Sequence, residues 1–220
     1  MESSLNYTMF EFGYVDPTQK FLWIPIYKNA HTKIREELQS YGWTMVRETN
    51  MPNFDHFFQQ SIKFAVLRNP YERWVNGFVT FIEKYKKDDP NDKVIYELLN
   101  SDKSLEILQI IFSFCNNFNF DEHTRLQKDF FSIDNKIINE INFFYLNDNL
   151  GYQINKWFQS HGVINKFNNH KINQTDKKSI LYKNLINFLF DYQYNRYKEK
   201  LYQYLQPDYD FIDSINFYAR

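Results

Sequence analysis

The chain has 220 residues, which is enough for a substantial core and typical of one domain. Its 26 basic and 27 acidic side chains leave a formal charge of -1 at pH 7, so the overall charge favours neither nucleic acid nor an anionic membrane as a partner. The one cysteine, Cys115, excludes an internal disulfide framework and a cysteine-built zinc site, and it suits a reducing compartment as a buried structural thiol. We therefore expect a single domain over 1–220 in which any anion binding is local.

The start of the chain, MESSLNYTMFEFGYVDP, has neither a basic leader nor a long apolar core, and no run of about twenty apolar residues follows it. The sequence therefore predicts a soluble, cytoplasmic protein, located in the host cytoplasm if the gene is viral. Aromatic residues make up 20% of the chain, and its second half is rich in Asn, Lys and Ile. An AT-rich coding sequence explains this usage, so it does not by itself predict an aromatic binding surface.

Short apolar runs rich in aromatic and β-branched residues predict buried strands at KFLWIPI (20–26), SIKFAVL (61–67) and INFFYL (141–146). GWTMVRET (42–49) is a weaker strand prediction, because its alternation is imperfect. Polar residues and then helical periodicity follow each of the first two runs. This pattern predicts an α/β fold with three layers, α/β/α, around a short central parallel sheet.

Two helices are expected directly after the first two strands. In the first, Ile34, Leu38 and Tyr41 mark a buried face, and Gly42 is a suitable stop. In the second, Asn69 can cap the N-terminus and the next residue is a proline, which suits the first helical position. The predicted buried stripe of this second helix consists of Trp74, Phe78, Phe81 and Tyr85.

The rest of the chain is predicted to be rich in helix. Periodicity indicates two helices within 91–115, one over 149–162 that ends at a glycine, and helix over 179–205 that is broken by Pro207. KKDDPND (86–92) is expected to be a solvated turn rather than a domain boundary.

The first candidate site is YKNAHTK (27–33), where a predicted strand passes through a loop into a helix. Such a loop presents unpaired backbone N–H groups and the positive end of the helix dipole, and a phosphate fits that environment. Lys28 and Lys33 would add charge, and Thr32 a hydroxyl. The glycines and the terminal Lys-Ser/Thr pair of a Walker A loop are missing, which disfavours a nucleotide triphosphatase. The alternative is a surface turn that happens to contain lysine.

The second candidate site follows the second predicted strand. Arg68 comes directly after that strand, at the edge where open α/β sheets bind ligands. Asn76 lies eight residues further on, roughly opposite the apolar face set by Trp74 and Phe78, so an arginine and an amide could meet one anion. The alternative is a helix N-terminus with an ordinary polar face.

Together these two stretches resemble the sulfotransferase family, which uses 3'-phosphoadenosine 5'-phosphosulfate (PAPS) as its sulfuryl donor. Members carry Pro-Lys-x-Gly/Ala-x-Thr-Ser after the first strand and Arg-Asp-Pro-x-x-Arg-x-x-Ser after the second. Here these motifs are YKNAHTK and RNPYERWVN. The chain departs from them at Tyr27, Lys33, Asn69 and Asn76.

Further segments continue the resemblance over about residues 20 to 212. FDEHTRLQ (120–127) resembles the Asp-Pro-His-Trp-x-x-Gln segment of carbohydrate sulfotransferases, and INFFYLNDNL (141–150) resembles their strand before Glu-Asn-Leu. HKINQT (170–175) and LYQYLQPDYDFI (201–212) are similar to the late His-x-x-Asn and Tyr-x-x-Asp-Tyr segments. The resemblance implies the P-loop-like sulfotransferase fold.

The resemblance also implies a reaction: PAPS-dependent transfer of a sulfuryl group to a hydroxyl of a glycan or another small metabolite, with no metal. Lys28 would stabilise the leaving oxygen, Thr32 and nearby backbone N–H groups would hold the 5'-phosphate, and Arg68 with Asn76 would hold the 3'-phosphate. The implied donor site consists of Lys28, Asn29, Ala30, His31, Thr32, Lys33, Arg68 and Asn76.

The acceptor hydroxyl needs a base, and His123 in FDEHTRLQ is the candidate, since histidine can accept a proton near neutral pH. Asp121 and Glu122 are the alternates, and either would need a pKa raised by burial. His123 could equally be packed in a loop.

Other readings of the whole chain stay open at this point. A sulfotransferase-like fold could bind a nucleotide or a partner without turnover. A divergent nucleotide kinase would need Mg²⁺ and prefer ATP, and the missing Walker A glycines argue against it. A purely structural α/β module would bind nothing at Lys28 and Arg68.

Overall fold

A computed structural model describes residues 12–47, 50–85, 90–115, 117–133, 136–137, 140–163, 167 and 179–218. The chain divides into two compact units. Unit 1 comprises Met1–Arg68, Gln127–Asn173 and Phe211–Arg220, and unit 2 comprises Asn69–Leu126 and Gln174–Asp210. The chain thus leaves unit 1 after Arg68 and returns to it at Gln127. That these units form one domain stays a prediction.

Strands and helices alternate in the first part of the described chain, and runs of helices follow. The strands are β1 (Gly13–Val15), β2 (Phe21–Ile24), β3 (Thr44–Val46), β4 (Ile62–Leu67), β5 (Ser132–Ile133), β6 (Lys136–Ile137) and β7 (Ile141–Tyr145). The helices are α1 (His31–Ser40), α2 (Phe54–Gln60), α3 (Pro70–Tyr85), α4 (Pro90–Leu99), α5 (Ser104–Phe114), α6 (Leu150–Ser160), α7 (Ile180–Phe190) and α8 (Asn195–Ser214). None of these described helices is both long and apolar enough to cross a bilayer.

Five of the described strands form one mixed sheet in unit 1, in the order β3-β1-β2-β4-β7. β4 pairs in parallel with β2 and with β7, through registers such as Trp23↔Phe64 and Ala65↔Phe143. β1 pairs antiparallel with both β2 and β3. The predicted α/β class and the three main strands are confirmed, and β3 lies inside the weaker prediction. The predicted parallel sheet is confirmed for β2, β4 and β7 only. The whole sheet is mixed, because β1 and β2 are joined by a turn too short for a parallel crossover.

The turn between β1 and β2 is organised by Asp16, which is 8% exposed. Its carboxylate accepts hydrogen bonds from the backbone N–H groups of Thr18 (3.0 Å), Lys20 (2.7 Å) and Phe21 (2.7 Å), and from the Thr18 hydroxyl. One side chain thereby satisfies the donors that a tight turn leaves without backbone acceptors. β2 enters the sheet in a fixed register as a result.

Both faces of the unit 1 sheet carry a packed core. On one face, strand residues such as Phe64 pack with residues of α1 and α6, among them Leu38 and Trp157. On the other face, strand residues such as Leu67 pack with residues of α2 and with Phe211 near the end of α8. The predicted stripe residues Ile34 and Leu38 of α1 are buried, as expected.

Unit 2 has its own core, built almost entirely from helices. Asn69 caps α3 by accepting a hydrogen bond from the Glu72 N–H at 3.1 Å, and α3 begins at Pro70, as predicted. Trp74 and Phe78 are fully buried, and they pack with side chains of α5 and α7. The two helices predicted within 91–115 are confirmed as α4 and α5.

The C-terminal helices correct one prediction. The break in the predicted helix over 179–205 lies at a 3-10 turn, Tyr192–Tyr194, and α8 then continues through Pro207 to Ser214. A proline in a helix interior removes one backbone hydrogen bond. Burial of the apolar side chains of Phe211 and Ile212 later in the helix offsets that loss. Tertiary packing therefore overrides the local signal.

Replacing Asp16 by alanine should lower the free energy of unfolding by about 2 to 3 kcal/mol, because partly buried N–H groups lose their acceptor. Urea denaturation measures this change. Asn147→Ala is the matched control, since Asn147 accepts one exposed bond from the Asn149 N–H at 2.9 Å, and its removal should cost less than about 0.5 kcal/mol. Equal losses in the two variants would contradict the organising role of Asp16.

Candidate functional site

The loop between β2 and α1 holds two residues in a left-handed conformation. Lys28 has a φ of 68° and Ala30 a φ of 61°, both in the left-handed region that residues with a side chain seldom adopt. The first hydrogen bond of α1 runs from the Ile34 N–H to the Ala30 carbonyl at 3.0 Å. The helix itself therefore offers no acceptor to the N–H groups of Thr32 and Lys33. This end of α1 also carries the positive end of the helix dipole.

The side chains of this loop differ in how far they reach solvent. Lys28 is half-buried, whereas Thr32 and Lys33 are exposed. The Lys33 ammonium pairs with the Glu36 carboxylate at 3.1 Å on the surface of α1. Lys28 and Thr32 are thus the predicted residues best suited to meet a ligand through their side chains.

His31 occupies a different environment from the one expected of a ligand contact. Its ring packs edge-on or tilted against Phe12, Trp23 and Tyr27, with centroids 5.7, 5.7 and 5.4 Å away. This aromatic cluster fixes the first residue of α1, so the structure supports a packing role for His31.

Arg68 lies one residue beyond the end of β4, as predicted. It is 8% exposed, and its guanidinium donates to the Lys28 carbonyl at 3.3 Å. β2 and β4 are parallel, so their C-terminal ends meet at one edge of the sheet. The structure thereby brings the Lys28 loop and Arg68 together, and two basic residues face the same edge.

Two side-chain amides, Asn29 and Gln127, hold this edge together, and we call them the amide clasp. Asn29 Nδ2 donates to the Val66 carbonyl at 2.8 Å and to Gln127 Oε1 at 2.7 Å. Gln127 Oε1 also accepts from the Arg68 N–H at 3.0 Å, and Gln127 Nε2 donates to the Arg68 carbonyl at 2.9 Å. Asn29 is 1% exposed and Gln127 is fully buried.

The amide clasp changes the role expected for Asn29. Its backbone N–H donates to the Ile26 carbonyl at 3.2 Å within the turn, and its side chain is directed into the protein. Asn29 therefore supports the loop rather than offering its N–H to a phosphate. Sequence reasoning left Gln127 out of the site, although FDEHTRLQ ends with this residue. The only available signal was that motif, because a lone glutamine has no characteristic spacing.

Asn76 lies in unit 2, on α3, and it is 3% exposed rather than on a polar face. Its place on the helix is opposite Trp74 and Phe78, as expected, but that side is buried as well, because α3 is buried on all sides from Arg73 to Val79. Its amide donates to the Glu72 carbonyl one turn earlier at 2.7 Å. Its Oδ1 is buried and has no hydrogen-bond partner among the described residues.

His123 forms a carboxylate–imidazole pair in unit 2. Its Nδ1 lies 2.7 Å from Asp121 Oδ2 and 3.5 Å from Glu122 Oε1. Burial by itself raises the pKa of Asp121, but hydrogen bonds from the side chain and backbone of His123 and from the backbone of Thr124 outweigh burial, and the pKa lies below its usual value. Asp121 therefore does not meet the raised-pKa condition for the alternate base. A carboxylate that accepts from Nδ1–H directs the acceptor lone pair of a neutral imidazole to Nε2.

The backbone around His123 is fixed by α3. The Arg73 guanidinium, which is 2% exposed, donates to the carbonyls of Arg125 and Glu122, the latter at 3.3 Å. Burial lowers the pKa of Arg73 to about 10, against the attraction of Asp208, so the guanidinium is still charged at pH 7. A methyl group on Gly77 would lie 2.2 Å from the His123 carbonyl oxygen. Glycine is therefore required where α3 meets this loop.

Metal-ligand atoms also meet at the carboxylate–imidazole pair. Within the described residues, Asp121, Glu122 and His123 can bring one such atom each to within 4.8 Å of one another. The hydrogen bond between Nδ1 and Oδ2 orients the histidine within this group.

Comparison of the chain with protein-family models, curated proteins and solved structures finds no match. The resemblance to sulfotransferases therefore remains a prediction from the motifs. The predicted late segment HKINQT (170–175) lies outside the described residues.

Asp121→Asn should reduce the free energy of unfolding at pH 7 by about 1 to 3 kcal/mol, since the hydrogen-bonded charge is lost. The folded-state pKa of Asp121 is depressed, so its contribution is present above the unfolded pKa of about 3.9 and is lost as pH falls through the folded pKa. The gap between wild type and variant should therefore shrink from about pH 5 towards pH 3.

Urea denaturation at several pH values measures this gap. Asp148→Asn, at an exposed carboxylate, is the control and should stay within about 0.5 kcal/mol of wild type at pH 7. A gap for Asp121→Asn that does not change with pH would show that its charge is not stabilising.

Proposed function

We propose that this chain is a sulfotransferase that moves a sulfuryl group from PAPS to a hydroxyl of a glycan or another small metabolite. The observation that carries the proposal is the juxtaposition of Lys28, on a left-handed loop at the start of α1, with the Arg68 guanidinium. A half-exposed ammonium, a helix N-terminus and a guanidinium are the groups that recognise phosphate oxygens. Within the α/β class, the proposed fold is the P-loop-like sulfotransferase fold.

In the proposed reaction the acceptor oxygen attacks sulfur, the bond from sulfur to the 5'-phosphate oxygen breaks, and the acceptor proton passes to a base. The products are a sulfate ester and 3'-phosphoadenosine 5'-phosphate. Negative charge builds on the leaving phosphate oxygen, as in phosphoryl transfer. Lys28 would stabilise that charge, the N–H groups of Thr32 and Lys33 would bind the 5'-phosphate, and Arg68 would bind the 3'-phosphate.

The proposed base is His123. Its hydrogen bond to Asp121 at 2.7 Å supports this role, because a buried carboxylate that accepts from Nδ1 orients the ring and stabilises the imidazolium formed by proton uptake. Arg73 and Gly77 fix the backbone that carries the pair. His123 would thus be pre-oriented before the acceptor binds.

A second candidate function is nucleotide binding without turnover, and the environment of Asn76 favours it. In the resemblance this position helps to hold the 3'-phosphate, but here its amide donor is bonded to the Glu72 carbonyl. A chain with this departure could keep the Lys28 loop and bind a phosphorylated nucleotide or a partner. Binding and turnover must therefore be measured separately.

Thermal unfolding with 3'-phosphoadenosine 5'-phosphate tests the donor site. At about 100 times its Kd, a ligand adds about 2.7 kcal/mol, which should raise the midpoint by about 5 to 10 °C in a domain of this size. 5'-AMP and Mg-ATP at matched concentrations should give smaller shifts, and Arg68→Ala should abolish the difference between the nucleotides. A shift with Mg-ATP alone would favour a kinase, and no shift would remove the proposed function.

Turnover is tested with PAPS and a panel of hydroxyl acceptors. Lys28→Ala should lower kcat by about 100- to 1000-fold, the usual loss of a preorganised charge-stabilising donor. His123→Ala should lower kcat by about 100-fold or more at saturating acceptor. Lys20→Ala, at an exposed lysine before β2, is the matched control and should keep wild-type kcat.

The pattern of the variants separates the two candidate functions. Wild-type turnover in Lys28→Ala would remove the central assignment, and full kcat in His123→Ala would remove the base. Nucleotide binding without turnover for any acceptor in the panel would favour the second candidate function.

A further inference from the structure

We infer that Gln127 is a positioning residue of the anion site: it does not contact the ligand but holds the Lys28 loop and Arg68 in the geometry that binds it. The inference rests on the proposed function. It goes beyond that function by assigning a role to a side chain that the predicted site did not include.

β4 lies between β2 and β7 and forms backbone hydrogen bonds with both strands. Residues of a strand direct their backbone groups to alternate sides. Ile62 N–H donates to the Lys20 carbonyl at 2.9 Å, on the β2 side, and the Leu67 carbonyl accepts from the Leu146 N–H at 2.7 Å, on the β7 side. Val66 and Arg68 must therefore direct their backbone groups to the β2 side.

β2 does not extend far enough to meet them. Its pairing with β4 ends at Ile24↔Ala65, and Pro25, which has no N–H to donate, follows directly. The Val66 carbonyl and both backbone groups of Arg68 are left at a buried edge beyond the last strand pair. Unpaired buried backbone groups are costly, so another group must replace the missing strand.

The amide clasp is that replacement. Asn29 Nδ2 meets the Val66 carbonyl at 2.8 Å, and Gln127 pairs with both backbone groups of Arg68, at 3.0 and 2.9 Å. Gln127 Oε1 also accepts from Asn29 at 2.7 Å. A single fully buried side chain thus links Arg68 to the residue that follows Lys28.

Gln127 is also the residue at which the chain returns to unit 1. Unit 1 is interrupted after Arg68 and resumes at Gln127, so the two residues that bound the interruption are bonded to each other. Because Gln127 is fully buried, it would act on a ligand only through Lys28 and Arg68. Loss of the Gln127 hydrogen bonds should increase the distance between Lys28 and Arg68 without changing the chemistry of either side chain.

The test compares Gln127→Leu with Asn155→Leu. Asn155 makes the same kind of paired contact elsewhere in unit 1: its amide accepts from the Phe167 N–H at 2.6 Å and donates to the Phe167 carbonyl at 2.9 Å. Calorimetric titration with 3'-phosphoadenosine 5'-phosphate gives the Kd of each protein. We expect Gln127→Leu to raise the Kd by about 10- to 100-fold, the usual effect of a small displacement of binding groups, and Asn155→Leu to leave it unchanged.

Amide hydrogen exchange supplies a readout that needs no ligand. In Gln127→Leu the Arg68 amide loses its acceptor, so Arg68 and the 28–33 loop should exchange faster. In Asn155→Leu the Phe167 amide should exchange faster and the loop should not. If Gln127→Leu does not fold, Gln127→Met keeps the length of the side chain and takes its place.

A double variant shows whether the clasp acts as one unit. Asn29→Ala and Gln127→Ala both remove the hydrogen bond between the two amides, and each also removes bonds of its own, so their combined effect on the Kd should be smaller than the product of the two single effects. A product of the single effects would overturn the inference.

The outcomes separate the inference from the proposed function. Nucleotide binding by wild type with an unchanged Kd in Gln127→Leu overturns the inference and leaves the function standing. A wild-type chain that does not bind the nucleotide removes the function, and the exchange comparison still decides the link: unchanged exchange at Arg68 and 28–33 overturns it.

Discussion

The parallel pairing of β2 with β4 is the constraint on which the rest of unit 1 depends. It brings the C-terminal end of each strand to the same edge of the sheet. The Arg68 guanidinium therefore donates to the Lys28 carbonyl, although the two residues lie forty positions apart in the sequence. The pairing also creates a difficulty, because β4 continues beyond the point where Pro25 ends β2. The same unequal strand lengths leave buried backbone groups to be satisfied there, beside Lys28 and Arg68. The proposed anion site and its supporting amides thus have one structural origin.

Buried polar groups have hydrogen-bond partners in both units. At the edge of unit 1, neutral amides satisfy the backbone of Arg68, which is itself 8% exposed. In unit 2, the Arg73 guanidinium and the His123 ring are buried. Arg73 keeps its charge because carbonyl oxygens and acidic groups surround it, although burial lowers its pKa to about 10. A buried charge with several acceptors holds a loop rigidly, and this rigidity suits the backbone that carries His123.

The sequence was informative where one local signal decided the outcome. Runs of aromatic and β-branched residues predicted β2, β4 and β7, and the Asn69–Pro70 pair predicted the start of α3. Prediction failed where distant contacts compete with a local signal. Packing of residues after Pro207 extends α8 through a proline, and burial of α3 on all sides removes the polar face expected for Asn76. The loop residues Lys28 and Arg68 could be placed because strand direction places them. Gln127 could not, because its role arises from a bond across fifty-nine positions of sequence.

The chemistry of the supporting residues also explains why amides occupy this edge. Arg68 presents a donor and an acceptor side by side, and a primary amide is the side chain that can answer both at once. A carboxylate would leave the Arg68 carbonyl without a donor and would place a negative charge beside the proposed anion site. A lysine would supply a donor but would leave the Arg68 N–H unpaired. Glutamine satisfies the backbone and adds no charge, so the positive charge beside it comes from Lys28 and Arg68, the two groups proposed to bind phosphate.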